Sequence, residues 1–496
     1  MLNSFRGLKS FQLTEYILLL SFAFVIPFSW TIATYVMIAL FFTSILRGFF
    51  ENGYSINKSQ YKNKFAYLIF ITFWLIYAIS FLYSDDSAEA RIQIGKKLSF
   101  LLFPIFFLCS NLSYLTKDRI RTIMYFFVFG TLALFIVNFI WAAYDVLFEN
   151  AKNERFYDPK FLSKGTGHIH HTYISIYTCL GMTFCFTELF NKNSSKSNIL
   201  NIILFIFLLT FTIISRSRAG LLCVVLIFAI LLFWLIFIEK KYKTGIYVGL
   251  IIACITTTSI LFFKESVKRV TDTVYNLRNI EKEDRRISIY KGCKELIFDN
   301  FLFGVGAGDR PNETLNSYQR KKEEIITKIK PLYDINDNDF DKKRREYLDT
   351  IWKKHGATLD DNTFKYAEKM ADEYGCDYIS VKENLATYLN INVMIDADSN
   401  VHNQFADTII AVGIFGMLLY ISMFIMPIYL WIKNKQFDIV FFTLLFIIAF
   451  NSLFESIMER QMGIMFFVFF YFMLFHNSFC QQTTDNNQQT LRNSNK

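Results

Sequence analysis

The sequence predicts an all-α, polytopic membrane protein with about 12 transmembrane helices and one large, mostly helical loop outside the cytoplasm. Of the 496 residues, 53% are hydrophobic, 57 are Phe and only 19% are charged. Soluble domains usually carry about 25% charged residues. Apolar runs such as 201–214 and 220–238 recur along the chain and approach the ~20 residues needed to cross a ~30 Å hydrocarbon layer. Such crossings must be helical because no water in the lipid can bond to the backbone.

The apolar runs divide the chain into four regions. Residues 1–263 are predicted to hold transmembrane helices 1–9, residues 264–406 the large loop, residues 407–477 helices 10–12, and residues 478–496 a disordered cytoplasmic tail. The predicted spans lie near 11–29, 31–48, 65–83, 98–115, 122–148, 172–190, 199–214, 219–238, 245–263, 407–432, 437–455 and 463–477.

Basic linkers set the predicted orientation. Lys and Arg concentrate in every second linker, including 61–64, 116–121, 191–197, 239–243 and 433–435. Cytoplasmic loops carry this excess, so both termini are predicted to be cytoplasmic and the loop 264–406 to lie on the other face. Segment 90–97 and the Ser-Arg-Ser-Arg turn at 215–218 weaken the bias, because their basic residues fall on that other face.

Within the loop, residues 311–392 are rich in charged residues and carry apolar residues at helical spacing, for example Tyr347, Ile351 and Trp352. This pattern predicts a small, mostly helical insert, since long structureless loops are uncommon in compact proteins. The loop also contains Cys293 and Cys376, which could form a disulfide in an oxidising compartment or remain separate thiols.

The net charge of +9 does not indicate a nucleic-acid partner, because the basic residues are scattered through the linkers rather than gathered in one stripe. We therefore expect membrane lipids to surround the chain and no nucleic acid to bind it.

The first candidate site motif is SRSRAG at 215–220, a turn between two apolar spans. Arg218 stands at the start of a membrane helix, where an unpaired guanidinium is costly, so an anionic partner from the protein or a ligand is expected. For Arg216 and Arg218 alike, the alternative is that the side chain reaches the lipid headgroups.

The second motif is RRISIYKGCKELIFDNFLFGVGAGD at 285–309. Arg285 and Arg286 precede a predicted amphipathic helix whose apolar residues Ile289, Leu296 and Ile297 could lie along the membrane surface. Three glycines follow (Gly304, Gly306 and Gly308), and they allow a tight turn whose backbone could approach a phosphate.

The third motif is GTGHIHHTYIS at 165–175, where His168, His170 and His171 lead into a span. Three histidines could bind a metal, but no acidic or cysteine ligands accompany them. Substrate contact or packing at the interface is favoured, and we expect neither a metal nor a cofactor.

The fourth motif is HNQFADTIIAVGIFG at 402–416. Ser399 or Asn400 is predicted to cap the helix, which would place His402 and Asn403 in its first turn. The helix dipole there disfavours imidazolium, and a neutral imidazole can accept a proton from an attacking hydroxyl. An ordinary interfacial histidine is the alternative interpretation.

These motifs, in this order, resemble the O-antigen ligase and polymerase superfamily of bacterial envelope glycosyltransferases. The resemblance rests on SRSRAG, on RRISIY followed by FLFGVGAGD, and on HNQFADTIIAVGIFG, and covers roughly residues 165–477. Two features depart from the family pattern: the insert at 311–392 is longer than expected, and Tyr290 stands where Trp is common.

The resemblance implies transfer of a glycan from undecaprenyl pyrophosphate to an acceptor hydroxyl at the periplasmic face of the bacterial inner membrane. Arg218 and Arg286 would hold the pyrophosphate, with Arg216 and Arg285 as further candidates, and His402 would activate the acceptor. Possible substrate contacts come from His170, His171, Asn403, Gly306 and Gly308. The acceptor would be lipid A–core for a ligase or a growing glycan for a polymerase.

Two other classes of protein remain as alternatives. A transporter of polyprenyl-linked sugars would need internal repeats and polar residues near the bilayer midplane, and the sequence shows no internal repeat. A non-catalytic scaffold would tolerate alanine at Arg218, Arg286 and His402.

Overall fold

The computed structural model describes residues 7–51, 61–148, 169–190, 195–215, 217–243, 245, 285–329 and 401–480. Within these residues every regular element is helical, as predicted. The α-helices are α1 (Ser10–Val25), α2 (Trp30–Phe50), α3 (Lys64–Ser80), α4 (Ser87–Lys96), α5 (Ser99–Cys109), α6 (Lys117–Phe148), α7 (His171–Glu188), α8 (Ser195–Ile214), α9 (Arg218–Phe233), α10 (Arg285–Asp299), α11 (Arg310–Ile329), α12 (Gln404–Asn434), α13 (Ile439–Ser452) and α14 (Gln461–Phe479).

Six helical stretches in the described part of the chain are long and apolar enough to cross a membrane: Trp30–Phe50, Ser87–Cys109, Lys117–Phe148, Ala219–Ile238, Gln404–Asn434 and Gln461–Phe479. Four shorter apolar helices accompany them: Ser10–Val25, Lys64–Ser80, Asn198–Ile214 and Ile439–Ser452. The chain is therefore a multi-pass helical protein. The count of 12 spans stays a prediction, and the predicted ninth span at 245–263 lies outside the described residues.

Helix boundaries follow local capping chemistry. Ser29 Oγ accepts from the amide of Ile32 at 3.3 Å, and Asp438 Oδ1 accepts from the amides of Val440 and Phe441 at 3.0 Å each. Each cap satisfies amides that the first helical turn leaves without partners. The fourth predicted span differs from expectation, because it begins earlier: α4 and α5 together cover Ser87–Cys109, with a break at Lys97–Leu98.

The chain forms two compact units. The first comprises Met1–Ala78, Ile92–Ser266 and Leu418–Lys496, and the second comprises Ile79–Arg91 and Val267–Met417.

Helix α14 forms the centre of the first unit. Its side chains are buried on all sides, and its aromatic rings pack against those of α1, α3, α5 and α6 in tilted or edge-on pairs, namely Phe22–Phe469, Phe70–Phe472, Phe103–Phe469 and Phe127–Phe470. Lipid tails are as apolar as these rings, so helix association in the membrane depends on close packing and on polar contacts. The abundance of Phe supplies the packing.

Two buried ion pairs supply polar contacts in the first unit. Arg47 pairs with Glu15, which also accepts from Tyr114 Oη at 2.8 Å, and this pair joins α1 to α2. Lys97, with no exposed surface, contacts Glu459 Oε1 at 2.9 Å and Gln93 Oε1 at 3.1 Å. Charges inside a membrane protein are costly and so are generally paired.

The second unit packs α10 and α11 against the start of α12. Cys293, Leu296, Tyr318, Val401 and Ile410 form its buried apolar cluster. Leu296 is buried in this cluster and Ile297, partly buried, packs against it, so these two apolar side chains of α10 contact the unit itself. That α10 lies along the membrane surface stays a prediction.

Cys293 is a buried free thiol, 3.6 Å from Tyr318 Oη, and Cys376 lies outside the described residues. Most of the predicted insert also lies outside them; of 311–392 only α11, which ends at Ile329, is described.

Candidate functional site

In the second unit, the candidate site is built around the start of α12. The helix begins at Gln404, and its cap is Asn403, whose Oδ1 accepts from the amides of Phe405 at 2.9 Å and Ala406 at 3.1 Å. The prediction that Ser399 or Asn400 caps this helix is wrong, since His402 and Asn403 precede the first turn rather than lie in it. The dipole argument for His402 then loses its geometric basis.

His402 adopts a left-handed backbone conformation, with φ of 51°. This conformation costs a non-glycine residue about 1–2 kcal/mol, and such strain is concentrated at functional sites. The residue is half-buried, so its imidazole is neither enclosed in the core nor fully in solvent. The left-handed turn lets the chain enter α12 with Asn403 directly at the cap position.

A hydrogen bond joins two of the sequence motifs. Asn403 Nδ2 donates to Tyr290 Oη at 3.3 Å, so the His-Asn turn contacts the aromatic residue four positions after Arg286. Tyr290 also packs against the apolar cluster of the unit, which fixes its ring. A tryptophan at this position would lack the hydroxyl that accepts from Asn403.

The glycine turn 301–309 docks into a break in α12. The helix loses its regular geometry at Val412 and Gly413, where φ is −137° and +69°. Backbone of the turn fills the break: Val305 N donates to Ile410 O at 2.7 Å, Gly306 N to Ala411 O at 3.0 Å, and Ile414 N to Phe301 O at 2.8 Å. These bonds pair helix groups that the break would otherwise leave without partners.

The same turn is held by the segment between α3 and α4. Gly308 N donates to Ser84 Oγ at 3.2 Å, and the Asp309 carboxylate accepts from the amides of Asp85 and Asp86 at 2.8 Å each. The amides of Gly306 and Gly308 are thus engaged inside the protein. A phosphate at this turn would therefore have to be bound by groups other than these two amides.

A buried ion pair links the start of α11, directly after the glycine turn, to the first turn of α12. Arg310 Nη1 lies 3.0 Å from Asp407 Oδ1; Asp407 has no exposed surface and the Arg310 side chain is 9% exposed. Breaking a buried pair by removing one partner typically costs about 3–5 kcal/mol, since a buried charge is left uncompensated. Neither residue was singled out from the sequence, although Asp407 within a predicted span was a signal that a partner was needed.

The SRSRAG motif lies in the first unit, where two of its residues have structural roles. Ser217 caps α9, with Oγ accepting from the amide of Gly220 at 3.1 Å. A side chain at Gly220 would collide with Ser175 of α7, so the glycine allows α7 and α9 to approach closely. Arg218 is consequently the first residue of α9.

His170 and His171 lie beside this motif at the start of α7. His170 is the cap residue, and the two imidazole rings have centroids 4.1 Å apart. Ser175 Oγ lies 3.4 Å from Ser215 Oγ, which joins the histidine segment to the turn before α9. The structure thus brings the first and third sequence motifs together.

The candidate arginines are described only in part. The backbones of Arg218, Arg285 and Arg286 lie in helices, while their side chains, together with Arg216 and His168, lie outside the described residues.

The chain is thus a multi-pass helical membrane protein in which each polar motif lies at or next to the start of a helix. Residues 203–337 match the family model Wzy_C, described as O-antigen ligase, which confirms the resemblance drawn from the motifs. The match spans the SRSRAG turn, Arg285 and Arg286, and the glycine turn. The match covers about a quarter of the chain and shows what that part is similar to, a family described as O-antigen ligase. No curated protein matches the chain.

Proposed function

We propose that this protein transfers a glycan from undecaprenyl pyrophosphate to an acceptor hydroxyl at the periplasmic face of the bacterial inner membrane. In the leading form of the proposal it is an O-antigen ligase and the acceptor is lipid A–core. The observation that carries the proposal is His402, held in a strained left-handed turn directly before the Asn403 cap and joined through Asn403 to Tyr290.

In the proposed reaction, His402 accepts the proton of the acceptor hydroxyl as the oxygen attacks the anomeric carbon of the donor sugar. The bond from that carbon to the pyrophosphate oxygen breaks, and the electron pair leaves with undecaprenyl pyrophosphate. A single in-line displacement inverts the configuration at the anomeric carbon, which analysis of the product linkage would test.

Arg218 and Arg286 are proposed to bind the pyrophosphate, with Arg216 and Arg285 as neighbouring candidates. Guanidinium groups form bidentate, charge-assisted hydrogen bonds to phosphate oxygens and stabilise the charge that develops on the leaving group. His170, His171 and Asn403 are proposed to contact the substrates. Gly306 and Gly308 are also proposed to contact the substrates, but not through their amides, which are bonded within the protein.

The deciding experiment is a glycan profile of cells that lack the protein, complemented with wild type or with His402→Ala. For a ligase, His402→Ala leaves long polysaccharide on the lipid carrier and bare lipid A–core. A core that carries a single repeat unit indicates a polymerase instead. Full restoration by His402→Ala would refute the role of His402.

Arginine variants need a matched control because loss of any surface charge can change expression. Arg218→Ala and Arg286→Ala should each reduce transfer by 100-fold or more, by analogy with loss of one charge-stabilising group, which costs about 10²–10³ in rate. Arg320→Ala is the control, since Arg320 is largely exposed on α11 and forms only a loose pair with Glu313 at 4.0 Å. Equal loss in all three variants would count against the pyrophosphate role.

A further inference from the structure

A second candidate site lies at one end of the first unit, in a cavity of about 580 Å³. This volume falls within the range of about 300–1,000 Å³ that is typical of small-molecule sites. The cavity is bounded by the starts of α6 and α13 and by the ends of α7, α9, α12 and α14. Beyond Phe233, α9 continues into a π-helical turn, Trp234–Ile238, and Trp234 lines the cavity.

This cavity is far from the SRSRAG and histidine segments. Helix α7 has His171 at its start and Glu188, which lines the cavity, at its end. Eighteen helical residues span roughly 27 Å at ~1.5 Å per residue. Likewise, α9 begins at Arg218 and reaches the cavity at Trp234. The cavity therefore opens at the opposite ends of these helices, about one hydrocarbon thickness away.

The lining carries charges of both signs. Three basic residues (Lys117, Arg121, Lys241) and four acidic ones (Asp118, Glu188, Glu239, Asp438) line the cavity. Two acids are already engaged: Glu188 pairs with Arg121, while Asp438 caps α13 and accepts from Ser478 Oγ at 2.8 Å. The groups left at the mouth are Lys117 and Asp118, both exposed, and the loose pair Lys241–Glu239 at 3.4 Å.

Apolar side chains form the rest of the wall. Met124, Phe184 and Leu474 lie along the helices, and Trp234 and Trp431 stand near the helix ends. Aromatic residues of this kind concentrate at the level of lipid headgroups. Lys117, Asp118 and the Lys241–Glu239 pair place two cations and two anions beside an apolar wall, which matches an amphiphile that carries both a phosphate and an amine.

We propose that this cavity binds the headgroup of a zwitterionic phospholipid with a primary amine, such as phosphatidylethanolamine. Its phosphate contacts Lys117 and Lys241, and its ammonium contacts Asp118 and Glu239. A purely anionic headgroup leaves Asp118 and Glu239 facing negative charge, so it binds more weakly.

The test is native mass spectrometry of the full chain released from micelles containing equal amounts of phosphatidylethanolamine and phosphatidylglycerol. Wild type should retain the amine lipid in excess. Lys117→Ala with Lys241→Ala should reduce retention about 30-fold, since each cation near a lipid surface contributes about 1 kcal/mol, a factor of about five. Asp118→Ala with Glu239→Ala should shift the preference toward phosphatidylglycerol.

Lys433→Ala is the matched control, because Lys433 is an exposed cation at the end of α12 that does not line the cavity. Equal retention of the two lipids by wild type, or equal loss in Lys433→Ala, overturns the proposal. A competition arm uses inorganic phosphate alone. Displacement of the lipid by millimolar phosphate would assign the cavity to a soluble phosphate compound and overturn the lipid assignment.

Discussion

At the scale of single residues, His402 combines an unusual backbone conformation with a side chain that can accept a proton. Its φ of 51° favours glycine, and among other residues asparagine, aspartate and histidine tolerate it best. Backbone strain and side-chain chemistry can therefore be separated by substitution.

His402→Gly should relieve about 1 kcal/mol of strain, so the free energy of unfolding stays equal or rises, while glycan transfer is lost with the imidazole. His402→Val should lower the free energy of unfolding by about 1–2 kcal/mol, since β-branched residues disfavour this conformation. Denaturant unfolding in micelles and the glycan profile measure the two effects. Transfer by His402→Gly would show that the imidazole is not the base.

Because of the buried thiol of Cys293, we expect the stability of the second unit to depend on pH. Burial raises the pKa of this thiol to about 12, and its hydrogen bond with Tyr318 lowers the pKa only in part. The unfolded thiol titrates near 9, so the folded state is favoured while the thiol stays protonated, and stability falls as pH rises between about 9 and 12. Each pH unit in that window costs about 1.4 kcal/mol.

We expect Cys293 to resist alkylation at pH 8.5 until the protein unfolds, as measured by peptide mapping of the labelled sites after reaction with a maleimide. Cys293→Ala should lessen the loss of stability above pH 9. Rapid alkylation of Cys293 in the folded protein, at the rate of an exposed thiol, would contradict this assignment.

At the scale of elements, the glycine turn and the broken helix form one interlocked structure. A Cβ at Gly304 would lie 2.6 Å from the backbone of Ala411, and one at Gly413 would collide with the backbone of Leu302. Both glycines also have positive φ, 72° and 69°.

Gly304→Ala and Gly413→Ala should therefore each destabilise the protein by more than 1 kcal/mol, since neither backbone can yield without breaking the bonds that fill the helix break. Gly95→Ala is the control: nothing lies within 4 Å of a Cβ there, and Gly95 is inside α4. Alanine at Gly95 should leave stability unchanged or add up to about 1 kcal/mol. Thermal unfolding of the three variants in micelles would distinguish these outcomes.

The positions of the described helices were largely predictable from the sequence, because the length of an apolar run and the position of a basic linker can both be read from local composition. The cap of α12 was not, since the capping preference is shared by Ser399, Asn400 and Asn403, and tertiary contacts decide among them. The partner of Asn403, Tyr290, is 113 residues away in the chain. The ion pair Arg310–Asp407 was missed for the same reason, as nothing local joins its two members.

At the scale of the whole molecule, the structure brings together the ends of helices that the basic linkers predicted to share a face. Lys117, Lys241 and Gln436 line one cavity, in agreement with the alternation of linkers along the first unit. Which face of the membrane this end occupies is a prediction of the charge bias, and it can be measured.

Single cysteines introduced as Lys433→Cys and Gln319→Cys should label from opposite sides of intact cells. Both positions are exposed, whereas most of the native cysteines within the described residues are buried. A membrane-impermeant maleimide should react at once with Gln319→Cys, and with Lys433→Cys only after the cells are permeabilised. The reverse pattern would invert the topology and remove the site from the periplasm.

The docking of the glycine turn also bears on what can be cut from this protein and still fold. The residues that match the family, 203–337, contain the turn 301–309 but not the broken helix that receives its amides, and they begin in the middle of α8. A fragment with those boundaries would leave Val305 and Gly306 without the carbonyls of Ile410 and Ala411. The residues that match the family therefore omit part of the structure that holds the glycine turn, and a fragment meant to keep this turn in place has to include the chain through Ile414.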